Sequence, residues 1–353
     1  MSKQFLKGNE ALAYGALRAG LNAYFAYPIT PSSEIPETLA LAFRNPDYPD
    51  FGTYLQTSSE LEAINMVIGA ASTGALTMTA TSGPGFSLMQ EGLSYAGAME
   101  VPFVVVDVNR AGPGLGNLGP EQSDYNQATK GGGHGGYRNI VIAPNSVQEM
   151  ASFPQLGFSL AYKYRNPVII LADAFLGQLK EDIEFPSIHP EHPDTSWATT
   201  GARGDARHLL ISLHLDFEDQ AKHTEHLEAK YEDIARRETR LDHYMTEDAE
   251  IVLVAYGITS RLCKHVVNQM RRDGARVGLA RPITLSPFPS NQIRALADQG
   301  KRFLVVELNM GQMVEDVRLA VQGSSKVGFV NRLGGLLPTS AEITKMVEMH
   351  IGS

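Results

Sequence analysis

Two carboxylates, Glu60 and Glu62, open the helical run ELEAINMVIGAASTGA, in which no other charge occurs. Acidic residues in a first helical turn satisfy free backbone N–H groups and complement the positive end of the helix dipole. That use alone explains the pair, so the chemistry rests on what stands around it. Upstream, YPITPSSEIPE (27–37) holds Thr30, Ser32 and Ser33 in a turn stiffened by three prolines. Those hydroxyls suit either a helix cap or a bound ligand. Downstream, TSGPG (81–85) leads into a helix, with glycines that allow close backbone approach and an N-terminus that presents unpaired N–H groups. Arg110 leaves a strand into the glycine-rich stretch AGPGLGNLG, where a guanidinium can pair a carboxylate bidentately or lie free on the surface. In ATKGGGHGGYRN (128–139) five glycines surround His134, a pattern of a mobile loop or of close contact with a ligand, with the imidazole as a candidate proton carrier.

These groups follow apolar runs that have the length and β-branching of buried strands: NAYFAYPIT (22–30), ALTMTATS (75–82), PFVVVDVNR (102–110), NIVIAPNS (139–146) and PVIILADA (167–174). Helical patterns over 8–20, 60–74, 86–98 and 146–163 separate them. Such alternation predicts a parallel sheet covered by helices on both faces, whose chemistry lies beyond the carboxyl ends of its strands. After about residue 180 the chain turns rich in Pro, His and charge and reads as a surface connection. A polar helix is predicted over DFEDQAKHTEHLEAKYEDIARRETRLDHY (216–244), packing along Leu227, Tyr231, Ile234 and Leu241. A second alternating unit starts near 249. EIVLVAYGITS, ARVGLARPITLSP, KRFLVVELNMG and KVGFVNRLGG are its strands, with helices near 260–272, 290–298 and 313–321. The expected division is 1–185, 186–248 and 249–353.

Composition narrows the function. A net charge of −9 with no basic block argues against nucleic acid or an anionic membrane as partner. No apolar run reaches a membrane span, and MSKQFLKGNEALAYG lacks the apolar core of a signal peptide, so a cytoplasmic location is expected. Cys263 is the only cysteine, which leaves this chain unable to build an iron–sulfur cluster by itself. His208, His214, His223 and His226 fall in a polar region and read as a solvated face; no metal site is expected. There is no G-x-S-x-G elbow, no G-x-G-x-x-G after the first strand and no G-D-G followed by paired asparagines, so hydrolase and nicotinamide readings weaken.

Read in order, Glu60, GAASTGA, TATSGPG and EVPFVVVDVNR resemble the pyrimidine-binding domain of thiamine diphosphate enzymes. KGNEALAYGALRAG, FAYPITPSSEIPE, TATSGPGFSLMQEG, QSDYNQATKGGGHGGYR, APNSVQEM, KYRNPVIILADAFLGQ and ELNMGQM together resemble the α subunit of 2-oxoacid:ferredoxin oxidoreductases. The 2-ketoisovalerate (branched-chain) type is nearest and the 2-oxoglutarate type next. The resemblance implies an α/β fold, with a parallel-sheet pyrimidine-binding domain followed by a smaller transketolase C-terminal-like α/β domain. It implies oxidative decarboxylation of a 2-oxo acid to acyl-CoA and CO₂, with electrons passed to ferredoxin. Glu60 matches the glutamate that hydrogen-bonds N1′ of the aminopyrimidine, with Glu62 the structural alternative. Tyr27, Pro28, Ile29, Ser82, Gly83, Pro84 and Gly85 match cofactor-contacting positions, and Thr30 and Arg110 match groups that hold the substrate carboxylate.

In this family the diphosphate, Mg²⁺ and a [4Fe-4S] cluster belong to a β subunit, and γ and ferredoxin-like δ subunits are further members of such complexes. Lys130 and Arg138 are candidate partners for a distal substrate carboxylate. A non-oxidative thiamine diphosphate decarboxylase or carboligase subunit, or a non-catalytic assembly subunit, is the alternative.

Overall fold

Strands that are apolar on both faces must be covered on both sides, and helices connecting parallel strands do this. The computed structural model of the protein describes residues 3–185, 193–201 and 207–351. Its first part runs β1 (Gln4–Lys7), α1 (Gly8–Arg18), β2 (Ala23–Ala26), α2 (Glu34–Ala42), β3 (Thr53–Gln56) and α3 (Glu60–Ala71). β4 (Thr77–Thr81), α4 (Gly83–Met99), β5 (Val104–Asn109), the short α5 (Tyr125–Thr129) and β6 (Ile140–Ile142) follow. α6 (Val147–Tyr164), β7 (Val168–Asp173), the short α7 (Ala174–Gln178) and β8 (Lys180–Ile183) come next. Beyond them lie the long α8 (Phe217–Arg237) and β9 (Leu241–Tyr244). The last part runs β10 (Ile251–Val254), α9 (Gly257–Arg272), β11 (Val277–Pro282), β12 (Thr284–Ser286) and α10 (Ser290–Asp298). β13 (Arg302–Glu307), α11 (Met313–Val321), β14 (Val327–Asn331) and α12 (Ser340–Ile351) complete it.

Among the described residues, the main sheet has the order β12-β6-β7-β5-β4-β2-β3 and is parallel except for β12, which pairs antiparallel with β6. A second sheet, β14-β13-β10-β11-β9, is parallel except for β9. The parallel α/β prediction holds for both. Val104, Val106 and Val108 of β5 pack with α1 and α6 residues on one face, while Phe103 and Val105 pack with α3 and α4 residues on the other.

Three details differ from the sequence reading. The predicted helix over 216–244 stops at Arg237, because buried Glu238 is held by Lys163 and Tyr164 and the next residues pair with β11 as β9. ARVGLARPITLSP is two strands. Pro282 has no N–H to continue a ladder, and the chain then crosses to β6 of the main sheet. β3 went unread because its residues are exposed apart from half-buried Tyr54, so no apolar run marks it. The predicted connection after 180 begins with β8, antiparallel to β1; its residues 186–192 and 202–206 lie outside the described residues.

Candidate active site

The two carboxylates that open α3 separate into different environments. Ser59 caps the helix by accepting from the Glu62 N–H at 3.2 Å, and the exposed Glu62 carboxylate accepts from Ser58 N (2.8 Å) and Ser58 Oγ (2.6 Å). Ser59 is therefore the cap, and Glu62 serves the helix entry by holding Ser58. Glu60 is 5% exposed, and among the described residues nothing donates a hydrogen bond to its carboxyl. A buried carboxyl without a donor carries a desolvation cost unless another group completes it.

Helix α4 fixes where that carboxyl sits. A Cβ on Gly92 would fall 2.5 Å from Ile64 Cγ1, so the glycine lets α3 and α4 touch one turn along from Glu60. At the start of α4, a Cβ on Gly85 would fall 2.3 Å from Glu60 Oε1 and 2.2 Å from Thr81 Oγ1. The glycine thus leaves the space the carboxyl occupies. The Thr81 hydroxyl oxygen beside it is buried and has no partner, and the same holds for the hydroxyl of Ser82, the next residue along the chain. Two unpartnered hydroxyls and the Glu60 carboxyl thus lie at the end of β4 and the N-terminus of α4. This arrangement fits a bound heteroaromatic group that brings its own donors and acceptors, and it suits the aminopyrimidine of thiamine diphosphate.

Thr30 and Arg110 also meet, but through the main chain: Arg110 Nη1 donates to the Thr30 carbonyl at 2.8 Å. The Thr30 hydroxyl is 3.4 Å from Ser33 Oγ, and Ser32 Oγ donates to Ile29 O at 2.7 Å, so Ser32 pins the turn rather than capping α2. Tyr27 and Pro28 are exposed and Ile29 is half-buried, in the same turn. Asn9, on the buried face of α1, donates to Pro31 O (2.7 Å) and to Glu34 Oε2 (2.8 Å), anchoring the loop from below. Sequence reasoning passed over Asn9, although a polar residue on an apolar helix face was its signal.

Arg110 is buried, its Nε has no partner, and it lines a cavity of about 880 Å³ between the two sheets. Gly83 and Pro84 form one wall; Leu115, Met310 and Leu333 give it apolar surface. Arg110 is the one cation among the lining residues, which also include Glu121 and Asp124. Glu121 ties the two halves together by accepting from Gly112 N at 2.9 Å and Gly334 N at 3.2 Å. Lys130 is engaged by Asp316, and Arg138 lies over the Tyr231 ring in a separate cavity. Neither candidate cation reaches the Arg110 cavity. The glycines around His134 serve contact within the chain: Gly132 N donates to Gln90 Oε1 at 2.9 Å and Gly133 N to the Tyr137 hydroxyl at 3.2 Å. Nor are the four histidines a wholly solvated face. The His214 and His223 rings lie 4.8 Å apart, half-buried, and His223 Nε2 bonds Ala98 O.

A further acidic pair lies behind the α4 N-terminus. Asp107, at the end of β5, accepts from Gly83 N at 3.2 Å; Asp124 accepts from Asn109 and, at 2.7 Å, from Gln127. Burial, then the charge of Asp124, holds Asp107 well above the usual carboxylate range, and burial pushes Asp124 up to about 6. A lone acid inside VVVDVN was the signal that sequence reasoning left unused. Among the described residues no group of three or more His, Cys, Asp or Glu could hold a metal ion.

Residues 14–245 match the thiamine diphosphate-binding domain of pyruvate flavodoxin/ferredoxin oxidoreductase, and residues 249–343 match core domain II of pyruvate:ferredoxin oxidoreductase. The chain belongs to the 2-oxoacid:ferredoxin oxidoreductase family. Within that family it is 53% identical to the ketoisovalerate oxidoreductase subunit VorB of Methanothermobacter marburgensis, over 100% of this chain and 99% of the relative. It is 35% identical to the 2-oxoglutarate synthase subunit KorA of Methanothermobacter thermautotrophicus, over 97% of each. A solved 2-oxoglutarate:ferredoxin oxidoreductase from Magnetococcus marinus, with 2-oxoglutarate, coenzyme A and succinyl-CoA bound, superposes with a TM-score of 0.87 at 27% identity. That match covers 99% of this chain but 65% of the other, so the chain spans about two thirds of that relative. Relatives named as subunits place this chain in a multi-subunit family. Among the described residues no helix is long and apolar enough to cross a membrane.

Proposed function

We propose that this chain is the α subunit of a cytoplasmic, thiamine diphosphate-dependent oxidoreductase. It converts a branched-chain 2-oxo acid and coenzyme A to acyl-CoA and CO₂, and passes the electrons to ferredoxin. The observation that carries this reading is Glu60, a buried carboxyl with no donor, seated against Gly85 and Thr81 in a thiamine diphosphate-binding domain. Bound there, the cofactor supplies the electron sink that decarboxylation of a 2-oxo acid requires. Glu60 holds a proton at N1′ of the aminopyrimidine, and the low-dielectric pocket keeps that contact strong. Ser82, Gly83, Pro84 and Gly85 would hold the ring from the α4 entry, and Tyr27, Pro28 and Ile29 are the further positions proposed to contact it. Arg110 turns its unpartnered Nε to the substrate carboxylate, and Thr30 is fixed beside it.

The branched-chain preference draws support from the cavity. An apolar wall of Leu115, Met310 and Leu333, with no cation beyond Arg110, suits a substrate with one carboxylate and an aliphatic tail. A dicarboxylate would place its second charge near Glu121 and Asp124, where like charges repel. The diphosphate, Mg²⁺ and a [4Fe-4S] cluster are assigned to a partner β subunit, in keeping with a single, buried cysteine here. The test is dye reduction by the co-purified complex with 2-ketoisovalerate, 2-oxoglutarate or pyruvate, each with and without coenzyme A. The reading predicts cofactor-dependent reduction, fastest with 2-ketoisovalerate. Release of CO₂ without dye reduction would overturn it in favour of a non-oxidative decarboxylase or carboligase.

A further inference from the structure

The Asp107–Asp124 pair has no part in the chemistry assigned to Glu60 and Arg110, yet it stands at the same cavity. Asp107 is fully buried; its Oδ1 accepts from Gly83 N at 3.2 Å, and the carboxyl meets that of Asp124. Asp124 is 9% exposed and lines the cavity, with Gln127 donating to its Oδ1 at 2.7 Å and Asn109 to its Oδ2. A Cβ on Gly83 would lie 3.6 Å from Asp124 Oδ2, so this carboxyl borders the α4 entry. Two carboxyls in contact at a dry site share one proton, because both cannot ionise side by side. Their surroundings decide which keeps it. Burial and the charge of Asp124 hold the proton on Asp107, which then donates to Asp124. Asp124, with these donors and an edge in the cavity, carries the negative charge. Burial pushes it up to about 6, which leaves it ionised at neutral pH and a stronger base than an exposed aspartate.

The cavity has room for a second reactant. Its volume of about 880 Å³ is in the range that takes a drug-sized ligand and far exceeds a small 2-oxo acid. Exposed Leu115 and Met310 rim it, a surface that suits the arm of coenzyme A. Arg110, itself 9% exposed with an unpartnered Nε, lines the same space. Glu121, the other acid at the cavity, is committed to Gly112 N, Gly334 N and Ser123 Oγ, whereas Asp124 adjoins Gly83.

We propose that Asp124 is the base that takes the proton from the thiol of coenzyme A during acyl transfer, with Asp107 as the positioning residue that holds a proton against it. The role rests on the oxidoreductase activity proposed above. As the sulfur lone pair forms the S–C bond to the acyl carbon, the thiol proton passes to the Asp124 carboxylate. The bond from that carbon to the cofactor then breaks, its electron pair returns to the cofactor, and Asp124 releases the proton to solvent through the cavity. Asp107 from β5, Glu121 from the same loop and Tyr256 at the start of α9 are the titratable groups around Asp124, and Arg110 is the cation of the cavity.

The test uses the assembled complex with 2-ketoisovalerate from pH 5 to 9. It reads a single turnover of dye reduction without coenzyme A, and acyl-CoA formation with it. In wild type the acyl-CoA rate should be level above neutral pH and fall as pH drops through about 6, where Asp124 gains a proton. In Asp124→Asn that rate should drop ~10²-fold at pH 7, a loss at least thirtyfold greater than that of the CoA-free turnover. It should also lose the limb near 6 and instead rise about tenfold per pH unit towards ~8.5, where a thiol ionises unaided. Asp107→Asn, whose amide keeps both the Gly83 and the Asp124 contacts, should retain the limb. Infrared spectra of the cofactor-free complex give a readout without turnover. Wild type minus Asp124→Asn should show a carboxyl band that titrates near 6, and wild type minus Asp107→Asn one that persists at pH 7. A limb that survives in Asp124→Asn, equal losses with and without coenzyme A, or no carboxyl band titrating near 6 would overturn this role alone. A wild-type complex that reduces no dye would overturn the oxidoreductase reading and this role with it.

Discussion

Replacing Gly85 by Ala tests the placement of Glu60 without touching its carboxyl. The added Cβ would sit 2.3 Å from Glu60 Oε1, 2.8 Å from Glu60 Cδ and 2.2 Å from Thr81 Oγ1, where ordinary contact begins at 3.4 Å. The carboxyl must retreat by about 1 Å, a displacement that costs on the order of 10²-fold in rate when it misplaces a catalytic group. Stability moves far less. Overpacking costs about 1–3 kcal/mol, while Ala is the better helix former by up to ~1 kcal/mol. The net loss is about 0–2 kcal/mol, a fall of a few degrees in melting temperature. The assay is thiamine diphosphate-dependent dye reduction by the assembled complex at saturating substrate, paired with a thermal melt. The expected result is a hundredfold fall in kcat with a nearly unchanged melt. A kcat within threefold of wild type would refute the argument, because the carboxyl would then not need the place Gly85 leaves for it.

The remaining predictions rest on the same geometry. Glu60→Gln should lower kcat by ~10²–10⁴-fold, whereas Glu62→Gln should lower only the melting temperature, since Glu62 merely holds Ser58; equal activity losses would contradict this division. Arg110→Lys should raise KM for the 2-oxo acid at least tenfold, because an ammonium cannot make the bidentate contact; steady-state kinetics with the purified complex decide it. Asp124 titrates in the folded chain at about 6, above its unfolded value, so its stabilising contribution is full below pH ~4 and is lost as pH rises through about 6. Asp124→Asn should therefore gain on wild type in melting temperature as pH rises from ~4 to ~7. Asp173, also pushed up to about 6 by burial, keeps part of the slope in the variant.

Much of the candidate site's local structure was legible because its signals are local. A charge at the mouth of an apolar helix marked Glu60, and glycines around a proline marked the α4 entry, which the structure places against each other. The loops that carry Thr30 and Arg110 were each legible as strand ends, but their meeting was not. A backbone carbonyl, rather than the threonine hydroxyl, receives the guanidinium, and side-chain types say nothing about carbonyl direction. Contributions from afar were invisible for the same reason. Met310 and Leu333 reach the Arg110 cavity only because the second sheet folds back on the first, joined by Gln122, which donates to Tyr256 O and accepts from Leu308 N. In the fold, strands buried on both faces were found and exposed β3 was missed, since the apolar run is a signal of burial and not of strand pairing. The end of α8 was misread because Leu241 continued its apolar stripe while actually belonging to β9.

The central claim is that Glu60, whose carboxyl accepts no hydrogen bond from the described residues, activates thiamine diphosphate. The most direct measurement is the rate at which the C2 hydrogen of the cofactor bound to the assembled complex exchanges with D₂O, read by NMR after acid quench. The account predicts exchange slowed by ~10²–10⁴-fold in Glu60→Gln with the cofactor still bound, and unchanged in Glu62→Gln. Exchange in Glu60→Gln as fast as in wild type would contradict it.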